Sequence, residues 1–239
     1  MNSGSIKKMH PYPGVYISLE GGDGGGKSTQ RKLLEEKIGQ GNFVFIREAG
    51  STPVGEVIKA LLDNNEYEGK ICAETEALLF AAQRAQLIQD VIVPALKEGK
   101  TVVAERSVYS SLVYQGKVRG LGRYVEDINF PILRGVFPDI VLCFDIDPGV
   151  GLARKSSKGK DRIEREGSDF HSQIREGYLK LAADNDNFVI IDATQPIEVQ
   201  SEIIWEVVKP FLVRDENVEP RQDLGAELNF QVSIHRERG

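Results

Sequence analysis

Residues 21 to 28 read GGDGGGKS, with five glycines in six positions before the lysine. The apolar run VYISL precedes them and a helix-forming run follows. The spacing matches G-x-x-x-x-G-K-[ST], a turn whose chemistry is phosphate binding. Gly21, Gly22, Gly24, Gly25 and Gly26 let the backbone take left-handed angles and approach a ligand closely. The amides of Asp23 to Ser28 can then form a nest around phosphate oxygens, and the start of the next helix adds partial positive charge. Lys27 is placed to reach the β and γ phosphates. Ser28 offers a hydroxyl oxygen to Mg2+, and Thr29 faces the α-phosphate region.

The turn identifies a nucleoside triphosphate rather than a reaction, because kinases, switch proteins and motor ATPases share it. A dinucleotide fold fits less well: its glycine pattern lacks the Lys-Ser pair, and no acidic ribose ligand closes the second strand. The Asn-Lys-x-Asp element that reads guanine is absent. Parallel sheets bind ligands beyond the carboxyl ends of their strands, and those ends carry further charges here. One delivers Arg47 and Glu48, the next Glu105, Arg106 and Ser107, another Asp145 and Asp147. Arginines arriving on two loops beside a triphosphate suit a second phosphorylated substrate, since transfer between two anions needs neutralisation and alignment. Glu105 reads as a carboxylate for a metal-bound water or for Lys27. Asp145 and Asp147 read either as site residues or as caps of the next turn. Residues 152–165, LARKSSKGKDRIER, place six Lys or Arg in fourteen positions and read as a lid that excludes water during transfer.

The elements that must hold these groups follow from the pattern. Continuous apolar runs at 15–19, 43–46, 101–104, 139–146 and 188–191 predict five strands. Helical spacing predicts helices from Lys27 to about Ile38, over 72–97, about 166–184 and 198–212. The segment REAGSTPVGE reads as a short turn. Leu78, Leu79, Ala82, Leu87, Ile92 and Val93 line the long helix, and Val199, Ile203, Ile204, Val207, Val208 and Phe211 give the last one a broad apolar face. Strands alternating with helices predict an α/β, P-loop NTPase fold, a mostly parallel sheet with helices on both faces and a lid. The 239 residues, 41% apolar and 28% charged, suit a single domain over 15–213, behind a flexible leader at 1–14. Residues 214–239 form a polar extension in which Leu228, Phe230, Val232 and Ile234 alternate, either as a late edge strand or as disorder. Net charge is −6, which argues against a general polyanion-binding surface. Cys72 and Cys143 read as reduced core residues. No membrane-length apolar segment and no signal core is present, so the expected compartment is the cytoplasm.

Several blocks together resemble the bacterial thymidylate kinases: EGGDGGGKSTQ, REAGSTPVGE, LLFAAQRAQ, AERSVYSSLVYQG and DRIEREGSDFHSQIREGYLKLA. The resemblance runs from about Val15 to Leu212. It implies a homodimer and Mg2+-dependent phosphoryl transfer from ATP to dTMP, making dTDP for dTTP synthesis. It implies roles residue by residue. Asp23 lies near the sugar 3'-hydroxyl of dTMP, Arg47 and Arg106 hold the acceptor phosphate, and Pro53 shapes the loop after Arg47. Phe80 stacks on thymine, and Arg84 contacts the base from the same helical face. Ser111, Tyr114 and Gln115 belong to the acceptor site. Arg154 contacts adenine, Ser28 and Glu105 serve the metal, and Arg162 and Lys158 stand among the lid cations for the transferred group. The chain departs from the family where Glu105 replaces an aspartate and Ser107 an aromatic or histidine, and where Ala49 and Ser51 replace a proline and a glycine. Gly24 stands where some members place a catalytic arginine.

Overall fold

The computed structural model describes residues 8–38, 41–155, 162–163 and 165–211. The C-terminal extension with its expected edge strand, the first seven residues and Lys158 lie outside the described residues. The strands are β1 (Val15–Gly21), β2 (Phe43–Arg47), β3 (Thr101–Glu105), β4 (Ile140–Asp145) and β5 (Phe188–Asp192). They form one all-parallel sheet in the order β2-β3-β1-β4-β5. The helices are α1 (Lys27–Ile38), α2 (Pro53–Asp63), α3 (Ala73–Leu87), α4 (Val93–Lys97), α5 (Val108–Ser111), α6 (Arg123–Leu133), α7 (Pro148–Lys155), α8 (Ser168–Asp184) and α9 (Ile197–Val208). Wider turns of π type join α3 to α4 through Ile88–Ile92 and extend α5 over Leu112–Val118.

Every residue of β1 is buried, because helices cover both sheet faces. Side chains alternate between two cores. Tyr16, Val102 and Val141 join Leu87, Ile92, Leu96 and Leu133 on one face. Ile17, Val103 and Leu142 join Leu34, Phe144, Ile204 and Val208 on the other. Burying a Leu, Ile or Val this fully contributes roughly 1.5–3 kcal/mol each, which fixes register as well as stability. Leu19 pairs with Glu105, and Gly21 pairs with Phe144. The carboxyl ends of β1, β3 and β4 therefore converge, and the loops that leave them share one crevice.

Some expectations are corrected. REAGSTPVGE is not only a turn: its second half opens α2, with Pro53 as the first helical residue and the Thr52 hydroxyl accepting from Gly55 N–H at 2.9 Å. The long helix spans the expected range but exposes Leu78, and α9 exposes Val199 and Ile203 while burying Ile204 and Val208. Both cysteines are free, yet only Cys143 is in the core; Cys72 is exposed at the start of α3. Residues 8–14, assigned to a leader, are tied to the sheet. Met9 N–H and Tyr16 N–H both donate to Asp139, at 2.8 and 2.9 Å, and His10 Nε2 lies 2.9 Å from the same carboxylate.

Candidate functional site

The phosphate turn leaves β1 at Gly21 and enters α1 at Lys27. Gly24 and Gly26 hold φ of +74° and +90°, angles that glycine takes without a side-chain clash. Lys27 is buried and folds back, its Nζ donating to the carbonyls of Gly21 and Gly22 at 2.9 and 2.7 Å. Ser28 and Thr29 are exposed at the first turn of α1. Ser28 Oγ donates to Glu105 Oε1 at 2.7 Å, so the two residues assigned to the metal meet across neighbouring strand ends. Their two oxygens fit Mg2+, which keeps several waters and takes few protein ligands. Among the described residues no group of three His, Cys, Asp or Glu side chains forms a protein-only cage.

The turn after β3 sends three consecutive side chains to three partners. Glu105 meets Ser28, and Ser107 Oγ donates to Glu20 at 2.6 Å. Between them Arg106 takes φ +75°, a left-handed backbone uncommon outside glycine and frequent at functional sites. Its Nη2 donates to Asp23 Oδ1 at 3.0 Å, and the guanidinium lies 5.2 Å from the centre of the Tyr114 ring. Asp23 thus joins the phosphate turn to the neighbouring cavity.

That cavity encloses about 710 Å3, its open mouth included, and is lined by Asp23, Arg47, Phe80, Arg84, Arg106 and Tyr114 among others. Arg47 is exposed at the end of β2, and among the described residues no carboxylate pairs with it. Phe80 presents its ring from α3, half-buried. Arg84, 1% exposed, is tied to Glu48 at 2.7 Å, to Ser111 Oγ at 3.0 Å and to Asn129. Burial holds the Glu48 carboxyl above its ordinary range, and Arg84 offsets only part of that rise. The buried Tyr114 hydroxyl makes no hydrogen bond among the described residues, a group that a ligand can satisfy. Gln115 Nε2 donates to Glu76 at 2.9 Å. Pro53 stays on the α2 surface, outside the cavity lining.

The lid residues divide. Arg154 Nη1 donates to the carbonyl of Ala193, just past β5, at 2.9 Å. Arg162 is buried on the cavity side, donating to Glu76 at 2.6 Å and to the Leu62 carbonyl at 3.1 Å. Glu76 also receives Arg119. Burial pushes its carboxyl up, but Gln115, Arg119 and Arg162 outweigh that and hold it below its ordinary range. Asp147 caps α7 through Gly149 N–H at 2.9 Å, and Asp145 pairs with Arg175. The capping reading therefore holds for Asp147. Glu20, Glu76, Ser110, Asn129 and Tyr178 escaped the sequence reading. The available signal was a carboxylate closing an apolar strand run, as Glu20 closes VYISL.

The family model for thymidylate kinase matches residues 19–203. A protein named thymidylate kinase from Fervidobacterium nodosum is 46% identical over 200 residues, covering 82% of this chain and 98% of that protein. One of the same name from Thermoanaerobacter sp. strain X514 is 45% identical over 204 residues, covering 83% and 99%. Another, from Finegoldia magna, is 45% identical over 199 residues, covering 82% and 98%.

Proposed function

The chain belongs to the thymidylate kinase family, and from that premise we propose that it phosphorylates dTMP to dTDP with ATP and Mg2+, supplying dTTP synthesis. One observation carries the assignment of sites. The cavity holding Arg47, Phe80, Arg84 and Arg106 opens onto the phosphate turn through the Asp23–Arg106 contact. Two anionic substrates can therefore lie end to end, one in main-chain amides and the other against guanidinium groups.

In this reading a phosphate oxygen of dTMP attacks the γ phosphorus of ATP in line. That oxygen is already anionic at neutral pH, so no general base or covalent enzyme intermediate is required. Lys27 and the amides of Asp23 to Ser28 neutralise the donor, and Thr29 meets its α-phosphate region. Ser28 and Glu105 would hold Mg2+, which when bound neutralises charge on the donor phosphates. Arg47 and Arg106 align the acceptor phosphate, Asp23 faces the sugar 3'-hydroxyl, and Phe80 stacks on the base. Arg84, already fixed by Glu48, presents a rigid edge to the base, and Ser111, Tyr114 and Gln115 complete the pocket. Pro53 acts at one remove by starting α2. Arg154 borders the adenine end. Arg162 and Lys158 are the proposed lid cations. For Arg162 to reach the transferred group, its contacts with Glu76 and Leu62 must open. The active form is proposed to be a homodimer, and the compartment the cytoplasm. No described helix is long and apolar enough to cross a membrane.

Initial rates of ADP release with MgATP and a panel of dTMP, dUMP, AMP, GMP and CMP test the reading. The expected result is release that depends on dTMP and is lost on chelation of Mg2+. A preference for AMP, GMP or CMP would reassign the acceptor, and ATP binding without acceptor-dependent release would remove the kinase activity altogether.

A further inference from the structure

Glu20 is fully buried at the penultimate position of β1, directly beneath the phosphate turn. A lone carboxylate there would be costly, so its partners are informative. Three hydroxyls donate to it: Ser107 at 2.6 Å, Ser110 at 2.7 Å and Tyr178 at 3.0 Å. They come from the turn after β3, from α5 and from α8. Ser110 and Tyr178 lie 2.8 Å apart, and both also face Arg106, whose Nη1 approaches them at 3.3 and 3.5 Å. The other nitrogen of the fork, Nη2, holds Asp23.

Direction matters in this arrangement. A carboxylate only accepts hydrogen bonds, and a hydroxyl has one hydrogen and two lone pairs. With their single hydrogens directed to Glu20, or from one hydroxyl to the other within the 2.8 Å pair, the Ser110 and Tyr178 oxygens turn lone pairs toward the Arg106 guanidinium. The buried negative charge thereby sets the polarity of two hydroxyls that do not themselves carry charge. They in turn fix the plane of a guanidinium whose backbone is already held at an unusual angle. We propose that Glu20 is a positioning residue that orients Arg106 for the acceptor phosphate through the Ser110 and Tyr178 hydroxyls, without touching either substrate. The inference rests on the reading that Arg106 grips that phosphate.

Glu20→Gln keeps the side-chain shape but replaces an acceptor oxygen with an N–H2 donor. The charge that holds the hydroxyl hydrogens is lost, and where the N–H2 replaces Oε2 the Ser110 and Tyr178 hydroxyls reverse and point hydrogens at the guanidinium. The expected result is a KM for dTMP raised about 10- to 30-fold, with the KM for ATP changed less than about 2-fold. Adding Glu20→Gln to Arg106→Ala should change the KM for dTMP by less than about 2-fold beyond Arg106→Ala alone, since the two act as a unit. Tyr178→Phe, which leaves the carboxylate and the ring in place, should raise the KM for dTMP about 3- to 10-fold and supplies the same test if Glu20→Gln does not fold. A wild-type KM for dTMP in either single variant, alongside a raised value in Arg106→Ala, overturns the inference. An unchanged KM in Arg106→Ala brings down the acceptor-site reading instead, and the inference with it.

Discussion

Gly24 is glycine for two reasons. Its φ of +74° strains any residue with a Cβ, and a Cβ built there would lie 1.9 Å from the Gly151 carbonyl oxygen on α7. The contact is reciprocal, because a Cβ on Gly151 would lie 2.2 Å from the Asp23 carbonyl oxygen. Two glycines thus bring α7 directly onto the phosphate turn. This excludes an arginine at position 24. Gly24→Ala should destabilise the fold by about 1–3 kcal/mol, lowering Tm by about 3–10 °C, and should weaken ATP binding. Gly22→Ala is the comparison, since a Cβ there meets nothing within 4 Å; its Tm should move by less than about 2 °C. Equal melting temperatures for the two variants would show that α7 yields freely.

At the scale of the element, the N-terminal segment is fastened by one buried carboxylate. Burial alone would push Asp139 up, but His10, Lys8 and the Met9 N–H hold it below its ordinary range. The folded value lies under the unfolded one. The stabilisation is therefore present above the unfolded pKa, about 3.9, and is lost as pH falls through the folded value. Asp139→Asn should cost about 1–3 kcal/mol at neutral pH, with the difference from the parent shrinking as pH falls below about 3.9 in paired denaturant melts. A constant difference across that range would count against the linkage. The fastening was not visible in the sequence, because Asp139 lies 123 positions from Tyr16. The strands were legible for the opposite reason, since each is a short run buried on both faces. α1 matched its expected bounds because glycines punctuate both ends. α2 was missed because Thr52 and Pro53 read equally well as turn residues. In the site, the phosphate turn was legible from spacing alone. Phe80, Arg84 and Ser111 came from resemblance, and the polar layer of Glu20, Glu76 and Tyr178 came from neither. A buried charge is settled by partners from other elements, and local pattern does not contain them.

The whole molecule has an apolar surface at the back of the proposed acceptor cavity. On α2, Leu62 and Lys59 face the cavity, while Val54 and Val57, one helical turn apart, face outward. Val57 is 72% exposed, and Leu78 on the adjoining α3 is 48% exposed. Since α3 also carries Phe80 and Arg84, the elements that would be buried between two copies are those that shape the cavity proposed for dTMP. A twofold contact uses the same patch on both partners, and a single substitution then places two charges in one interface. In the proposed homodimer, Val57→Asp should convert a sedimenting dimer to monomer at the same micromolar concentration, while Tm of the monomeric fold stays measurable by a single cooperative transition. The KM for dTMP should rise and that for ATP should hold, because the phosphate turn, between β1 and α1, belongs to neither α2 nor α3. A dimer that survives Val57→Asp would place the contact on another face. A monomer with an unaltered KM for dTMP would show that α2 and α3 keep their spacing without a partner.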